Sequence, residues 1–198
     1  MWCTPQVPYF WEVNMVIIVE GIDRIGKSTL CKKLSEKLGF PIYKEIGVEK
    51  KSREGNVRSQ MSLLSLCQAT KCNVIFDRLF ASEFVYGMLE RDYVIIEAIK
   101  DFNDALDVLV EIPDVIYVGM YSTDIEKSSN EHGKDLSEHD RLFTMTNRFV
   151  KEKLSKKQDA RIIFCNYYDV DRIVNVIYEM YQEGIKYAKC ADTIDNKV

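Results

Sequence analysis

Along the chain, short apolar runs alternate with longer segments whose apolar residues recur at helical spacing. Val16–Glu20 reads as a buried strand, and Ser28–Leu38 as a helix with Leu30, Cys31, Leu34 and Leu38 on one face. Gly39 is the expected stop of that helix, with Pro41 just beyond it. Pro41–Glu45 is a short second strand, residues 47–57 are polar and basic, and Gln60–Cys67 is predicted helical with Met61, Leu64 and Leu63 inward. Val74–Phe76 is a third strand ending at Asp77-Arg78, followed by helices over 80–90 and 93–110 and a fourth strand over Pro113–Val118. A polar stretch, 123–140, precedes a helix over Arg141–Lys157 and a fifth strand over Ala160–Cys165, and Asp169 or Asp171 caps a last helix reaching about Ala188. Apolar strands separated by helices imply one α/β domain, a parallel sheet covered on both faces.

Composition narrows the picture without redirecting it. A chain of 198 residues with 46% hydrophobic and 29% charged residues is long enough for one well-buried core. A net charge of −4 argues against a nucleic-acid partner. No run of 18 apolar residues occurs, so no membrane association is expected. Residues 1–14 lack the features of a signal peptide and read as an N-terminal extension before a domain spanning 15–190. Six scattered cysteines include no C-x-x-C pair, and both histidines, His132 and His139, lie in the polar stretch, so no zinc pattern emerges. Cys31, Cys67 and Cys165 fall within apolar patterns as small buried residues. A cytoplasmic location is expected from free thiols beside the loop described next.

The chemistry is concentrated after the first strand. Gly21-x-x-x-x-Gly26-Lys27-Ser28 lies between a strand and a helix, which is the setting of a phosphate-binding loop. Its glycines let backbone N–H groups turn inward, and the helix presents its positive N-terminus to an anion. Gly21, Ile25, Gly26, Lys27, Ser28 and Thr29 are the candidate nucleotide-binding residues. Lys27 would reach the β- and γ-phosphates of ATP, and the Ser28 hydroxyl would bind Mg²⁺.

Glu20-Gly21-Ile22-Asp23-Arg24-Ile25-Gly26-Lys27-Ser28-Thr29 resembles the phosphate loop of the thymidylate kinase family. Phe76-Asp77-Arg78 resembles that family's Asp-Arg-Tyr motif, with Leu79 in place of the aromatic residue, and Ile112-Pro113-Asp114-Val115 its entry to the fourth strand. The resemblance covers residues 15 to about 185. It implies a three-layer P-loop kinase fold, a small nucleotide as substrate, a lid at about 122–140 and a homodimer. It also implies roles for individual residues: Arg24 bridging the transferring phosphoryl group, Asp23 contacting the acceptor sugar, Asp77 ordering the Mg²⁺ shell, and Arg78 pairing with the acceptor phosphate. The polar lid stretch contains no Arg, which fits a kinase whose cation sits in the loop as Arg24.

The acceptor half is less defined. Residues 59–70 contain no Arg where the family contacts the base, leaving Gln60, with Arg58 just before it and Arg53, Lys50 and Lys51 nearby as phosphate candidates. Glu45 matches the neighbourhood of the general base in deoxynucleoside kinases, relatives that phosphorylate a free 5′-hydroxyl; a hydroxyl nucleophile needs such a base, whereas a phosphate acceptor does not. Phe80, Phe84, Tyr86 and Met61 are available to frame a base. The leading expectation is ATP-dependent phosphorylation of a deoxynucleoside monophosphate, dTMP first, with a deoxynucleoside kinase as the alternative. A nucleotide-binding regulatory module is the competing class, but no guanine-reading Asn-Lys-x-Asp occurs, and Thr146-Asn147-Arg148 lacks the Asp.

Overall fold

In the computed structural model, which describes residues 14–44, 53–121, 136–157, 160–166 and 169–195, the apolar run Val16–Glu20 forms β1 at the centre of a five-stranded sheet. The chain continues through α1 (Lys27–Leu38), β2 (Ile42–Lys44), α2 (Arg53–Thr70), β3 (Val74–Asp77), α3 (Phe80–Glu90), α4 (Ile95–Glu111), β4 (Val115–Met120), α5 (Ser137–Leu154), β5 (Arg161–Cys165) and α6 (Val170–Asp195). The strand order is β2-β3-β1-β4-β5 and every pair is parallel. Every residue of β1, β3 and β4 is buried, because helices cover both faces of the central strands, and these strands read as unbroken apolar runs for that reason. Each large aliphatic side chain so buried contributes about 1.5–3 kcal/mol. α1 lies against α6 and against β1 to β3, while α2, α3, α4 and α5 pack among themselves. The α/β class, the parallel sheet and its helical cover agree with expectation. No described helix is long and apolar enough to cross a membrane.

Three elements differ from the sequence reading in a way that bears on the site. Helix α2 begins at Arg53, seven residues before the predicted start. Its buried stripe is Asn56, Gln60, Leu64 and Cys67, so the first two inward positions are polar and carry no hydrophobic signal. Helix α5 begins at Ser137, within the stretch expected to be lid, and His139 is buried on its first turn instead of lying in a polar loop. Strand β4 starts two residues late, at Val115, because Asp114 adopts a left-handed φ of 51°. Residues 122–135, the rest of the expected lid, and Glu45 lie outside the described residues.

Candidate active site

Both ends of the loop after β1 depend on glycine. Gly21 has φ 146°, and a Cβ there would come within 2.5 Å of the Met120 carbonyl oxygen and of Ile25 Cδ1. Gly26, at φ 86°, is the N-cap of α1 and makes no side-chain cap, so the first N–H groups of the helix remain available to an anion. Lys27 is only 5% exposed and its ammonium donates to the Ile22 carbonyl at the start of the loop. Burial lowers its pKa to about 8, against the opposing pull of Asp77 and Glu20. Ser28 and Thr29 face solvent, Ile25 is buried under the loop, and Arg24 is exposed with φ 58°.

Asp77 joins this corner from the end of β3. Its register partners are Val19 of β1 and Lys44 of β2, so the parallel sheet carries it to the edge where the loop leaves β1. Ser28 Oγ donates to Asp77 Oδ2 at 2.7 Å. Asp77 is 3% exposed, and its other oxygen, Oδ1, is buried with no hydrogen-bond partner. An orphaned buried carboxylate oxygen beside a hydroxyl is a fitting oxygen donor set for Mg²⁺, which uses one or two carboxylates and fills its shell with phosphates and water. Among the described residues, no group of three or more His, Cys, Asp or Glu could hold a metal ion.

Beside this corner a cleft of about 450 Å³ opens, lined by Asp23, Lys44, Gln60, Asp77, Arg78 and Tyr86, together with Glu83 and Glu90 of α3 and Arg91 just after it. Arg78 follows β3 with φ 76°, donates from its backbone to Val19 O at 3.0 Å, forms an ion pair with Asp23, and holds its guanidinium 5.0 Å from the Tyr86 ring. Four of the expected site residues, Asp23, Gln60, Asp77 and Arg78, are therefore brought together here. Arg58 is not: it lies exposed in an outward groove between α2 and α4, with Met61 and Leu66. A smaller apolar recess adjoins the cleft through Gln60 and Glu83 and is walled by Phe80, Phe84, Phe102 and Tyr93. The Phe84 and Phe102 rings lie 5.0 Å apart at a tilt of 37°.

Several residues that shape the cleft left no hydrophobic trace in the sequence. Glu20 is fully buried at the end of β1, where its carboxylate accepts from Leu79 N at 2.8 Å, Ala81 N at 3.1 Å and the Ser82 hydroxyl. Burial pushes its pKa up, while those donors and Arg78 pull it down. Glu83 is 7% exposed and accepts from Asn56 Nδ2 at 3.0 Å, Tyr93 OH at 2.5 Å and Arg91 Nη1 at 2.6 Å. This network ties α2 to the loop after α3 and fixes the position of Gln60, one turn along α2 from Asn56. His139 Nε2 lies 2.8 Å from Glu90 Oε1 and its ring meets that of Tyr86 at a tilt of 51°, centroids 5.2 Å apart, which connects the start of α5 to the same cleft. A periodicity of 56, 60, 64 and 67 was the available signal for Asn56 and Gln60, but it required counting polar residues as inward. Cys31, Cys67 and Cys165 are free and buried as expected, and burial pushes each thiol up, Cys165 to about 11.

No family model matches the chain. Among curated proteins it is 38% identical over 81 residues to the SPβ prophage-derived protein YorR of Bacillus subtilis (strain 168), a match covering 41% of this chain. The match takes in 47% of YorR, so the chain spans about half the length of the curated relative it matches. Among solved structures it is similar to YorR from Bacillus subtilis in complex with phosphorylated GDP, with a TM-score of 0.56 and 24% identity over 85% of this chain and 96% of that one. It is also similar to thymidylate kinase from Candida albicans, with a TM-score of 0.50 and 19% identity over 86% of this chain and 93% of that one. Matched over most of both lengths, the chain shares the α/β fold of these two structures, here a five-stranded parallel sheet.

Proposed function

We propose that the protein is an ATP-dependent kinase of a deoxynucleoside monophosphate, with dTMP as the leading acceptor. The observation that carries this reading is the placement of two anion sites on one sheet edge. Lys27 and the open N-terminus of α1 form the donor side, and Arg78 faces the adjoining cleft from the residue after Asp77. Direct transfer between two phosphates requires mainly alignment and charge stabilisation, which such an arrangement provides. Lys27 holds the donor phosphates, Arg78 exchanges its Asp23 partner for the acceptor phosphate, and Asp23 is released toward the sugar. Arg24, exposed in the loop, supplies the cation between the two substrates. Ser28 and Asp77 would hold Mg²⁺, which neutralises charge on the donor phosphates when bound. Gln60, where the cleft meets the aromatic recess, would contact the base. The phosphorylated GDP in YorR supports a nucleotide as ligand of this fold and leaves the base open. Residues 122–135 are proposed as the lid.

The nucleoside reading also has an observation in its favour. Carboxylates Asp23, Asp77, Glu83 and Glu90 outnumber the cations Lys44, Arg78 and Arg91 in the cleft. However, Asp23, Asp77 and Glu83 are each paired with one of those cations. A parallel assay with ATP and Mg²⁺ decides between the readings: dTMP should be converted at least about a hundred-fold more efficiently than thymidine. Turnover of thymidine with none of dTMP would overturn the leading reading, and turnover of neither deoxynucleotides nor deoxynucleosides would favour a regulatory module.

The resemblance also implies a homodimer, and α4 provides a face for it: Val94, Ile95, Ile96 and Ile99 are 46–77% exposed, an apolar cluster at one helix end. We infer that a second copy covers it. Sedimentation equilibrium should give a dimer that Ile96→Glu converts to monomer; a monomeric wild type would overturn this inference.

A further inference from the structure

Lys44, the last residue of β2, stands directly opposite Asp77 in the sheet register, so the two side chains emerge on the same face. Its ammonium lies 3.1 Å from Asp77 Oδ2 and 3.2 Å from Ser28 Oγ. These are the two oxygen donors of the metal corner, and they are themselves hydrogen-bonded at 2.7 Å. A lysine cation therefore occupies the position on which a divalent ion would converge. It satisfies the corner incompletely, because Asp77 Oδ1 remains buried without a partner. The Lys44 side chain is 53% exposed, so its flexible stem is able to swing into the cleft mouth without disturbing β2.

Resting on the reading of Ser28 and Asp77 as Mg²⁺ ligands, we propose that Lys44 is the resident counter-ion of the metal corner. In the nucleotide-free protein its ammonium neutralises the buried Asp77 carboxylate and denies that position to a free divalent ion. A metal reaching the corner with a triphosphate displaces it, because the nucleotide brings the binding energy that the bare ion lacks. The protein thus takes metal and nucleotide together and does not hold the metal between turnovers. Removing the lysine charge takes from Asp77 its contact cation and leaves the Lys27 charge nearby, and a free divalent ion becomes its best contact partner.

The test uses Mn²⁺ as the probe, with free ion counted by electron paramagnetic resonance, on the full chain. Without nucleotide, Lys44→Met should bind one Mn²⁺ about ten-fold or more tighter than wild type. Lys44→Arg, which retains the charge, should stay as weak as wild type, and Lys44→Gln should repeat the methionine result if that variant folds poorly. In thermal melts without nucleotide, millimolar Mg²⁺ should raise the Tm of Lys44→Met and leave wild type unmoved. Equal Mn²⁺ affinity in wild type and Lys44→Met, with Mn²⁺ still tightening ATP binding to both, would overturn the counter-ion role alone. If Mn²⁺ fails to tighten ATP binding to wild type, the metal reading and the counter-ion role fall together.

Discussion

Lys27→Met should lower kcat/KM for phosphoryl transfer by on the order of a thousand-fold, about 4 kcal/mol of transition-state stabilisation, while leaving the fold intact. Lys27 is buried, and its ammonium has the Ile22 carbonyl as its hydrogen-bond acceptor, with the charges of Asp77 and Glu20 nearby. A cation held in so little water, with its pKa already drawn down to about 8, interacts strongly with phosphate oxygens that replace the missing solvent. Methionine has nearly the same length and fills the same space, so packing around β1 and α1 should survive. Relief from burying a charge should leave the melting temperature of the nucleotide-free protein equal to or above that of wild type. A coupled assay of ADP release measures the first effect and a thermal melt the second. Activity within ten-fold of wild type would remove the loop from the donor role. A collapsed melting temperature would make Lys27 a structural residue.

The largest expected effect on stability falls on Glu20. Glu20→Ala should destabilise the protein by about 3–5 kcal/mol, seen as a lower denaturation midpoint with an unchanged slope. Its carboxylate, wholly buried, accepts from two backbone N–H groups and a hydroxyl at the start of α3, a helix whose own N-cap, Leu79, provides no side-chain cap. An anion from β1 thus caps a helix that follows β3 and opposes its dipole charge. Alanine would leave three buried donors without partners and a void beside them. Glu20→Gln retains one acceptor oxygen for the Leu79 and Ala81 N–H groups and should recover about half of the loss or more. Because the same turn aims Arg78, Glu20→Gln should raise KM for the acceptor more than KM for ATP. Equal changes in both would mean that Glu20 stabilises the fold without positioning Arg78.

These residues divide along a physical line that explains how much was legible in advance. The proposed donor half was legible in the sequence because it is contiguous: Gly21 to Ser28 contains the turn, the cation and the hydroxyl within one loop between two regular elements. The strands were read because burial on both faces makes them continuous apolar runs, and Gly39 marked the end of α1 by its left-handed φ of 75° and its N–H bond to Ser35 O. The acceptor half draws on β1, the phosphate loop, β2, α2, β3 and α3, and its inward positions are polar. Asn56 and His139 carried no sign of burial, and Gln60 was named only through the family resemblance. Their burial is compensated by partners distant in sequence, such as Asn56 with Glu83 and His139 with Glu90. Arg58 appeared equivalent to Gln60 as a ligand, but two residues along a helix is more than half a turn, and the groove it faces is on the outside.

Local order therefore specified the fold class, the glycine-bounded loop after β1 and the donor chemistry proposed for it, since each depends on residues adjacent in the chain or on a periodicity that burial imposes. The pairing of Lys44 with Asp77, the capping of α3 by Glu20, and the set of side chains facing the cleft were settled by sheet register and helix packing. Those depend on which strand lies beside which, and the order β2-β3-β1-β4-β5 places Asp77 between Lys44 and the phosphate loop, residues 33 and more positions away along the chain.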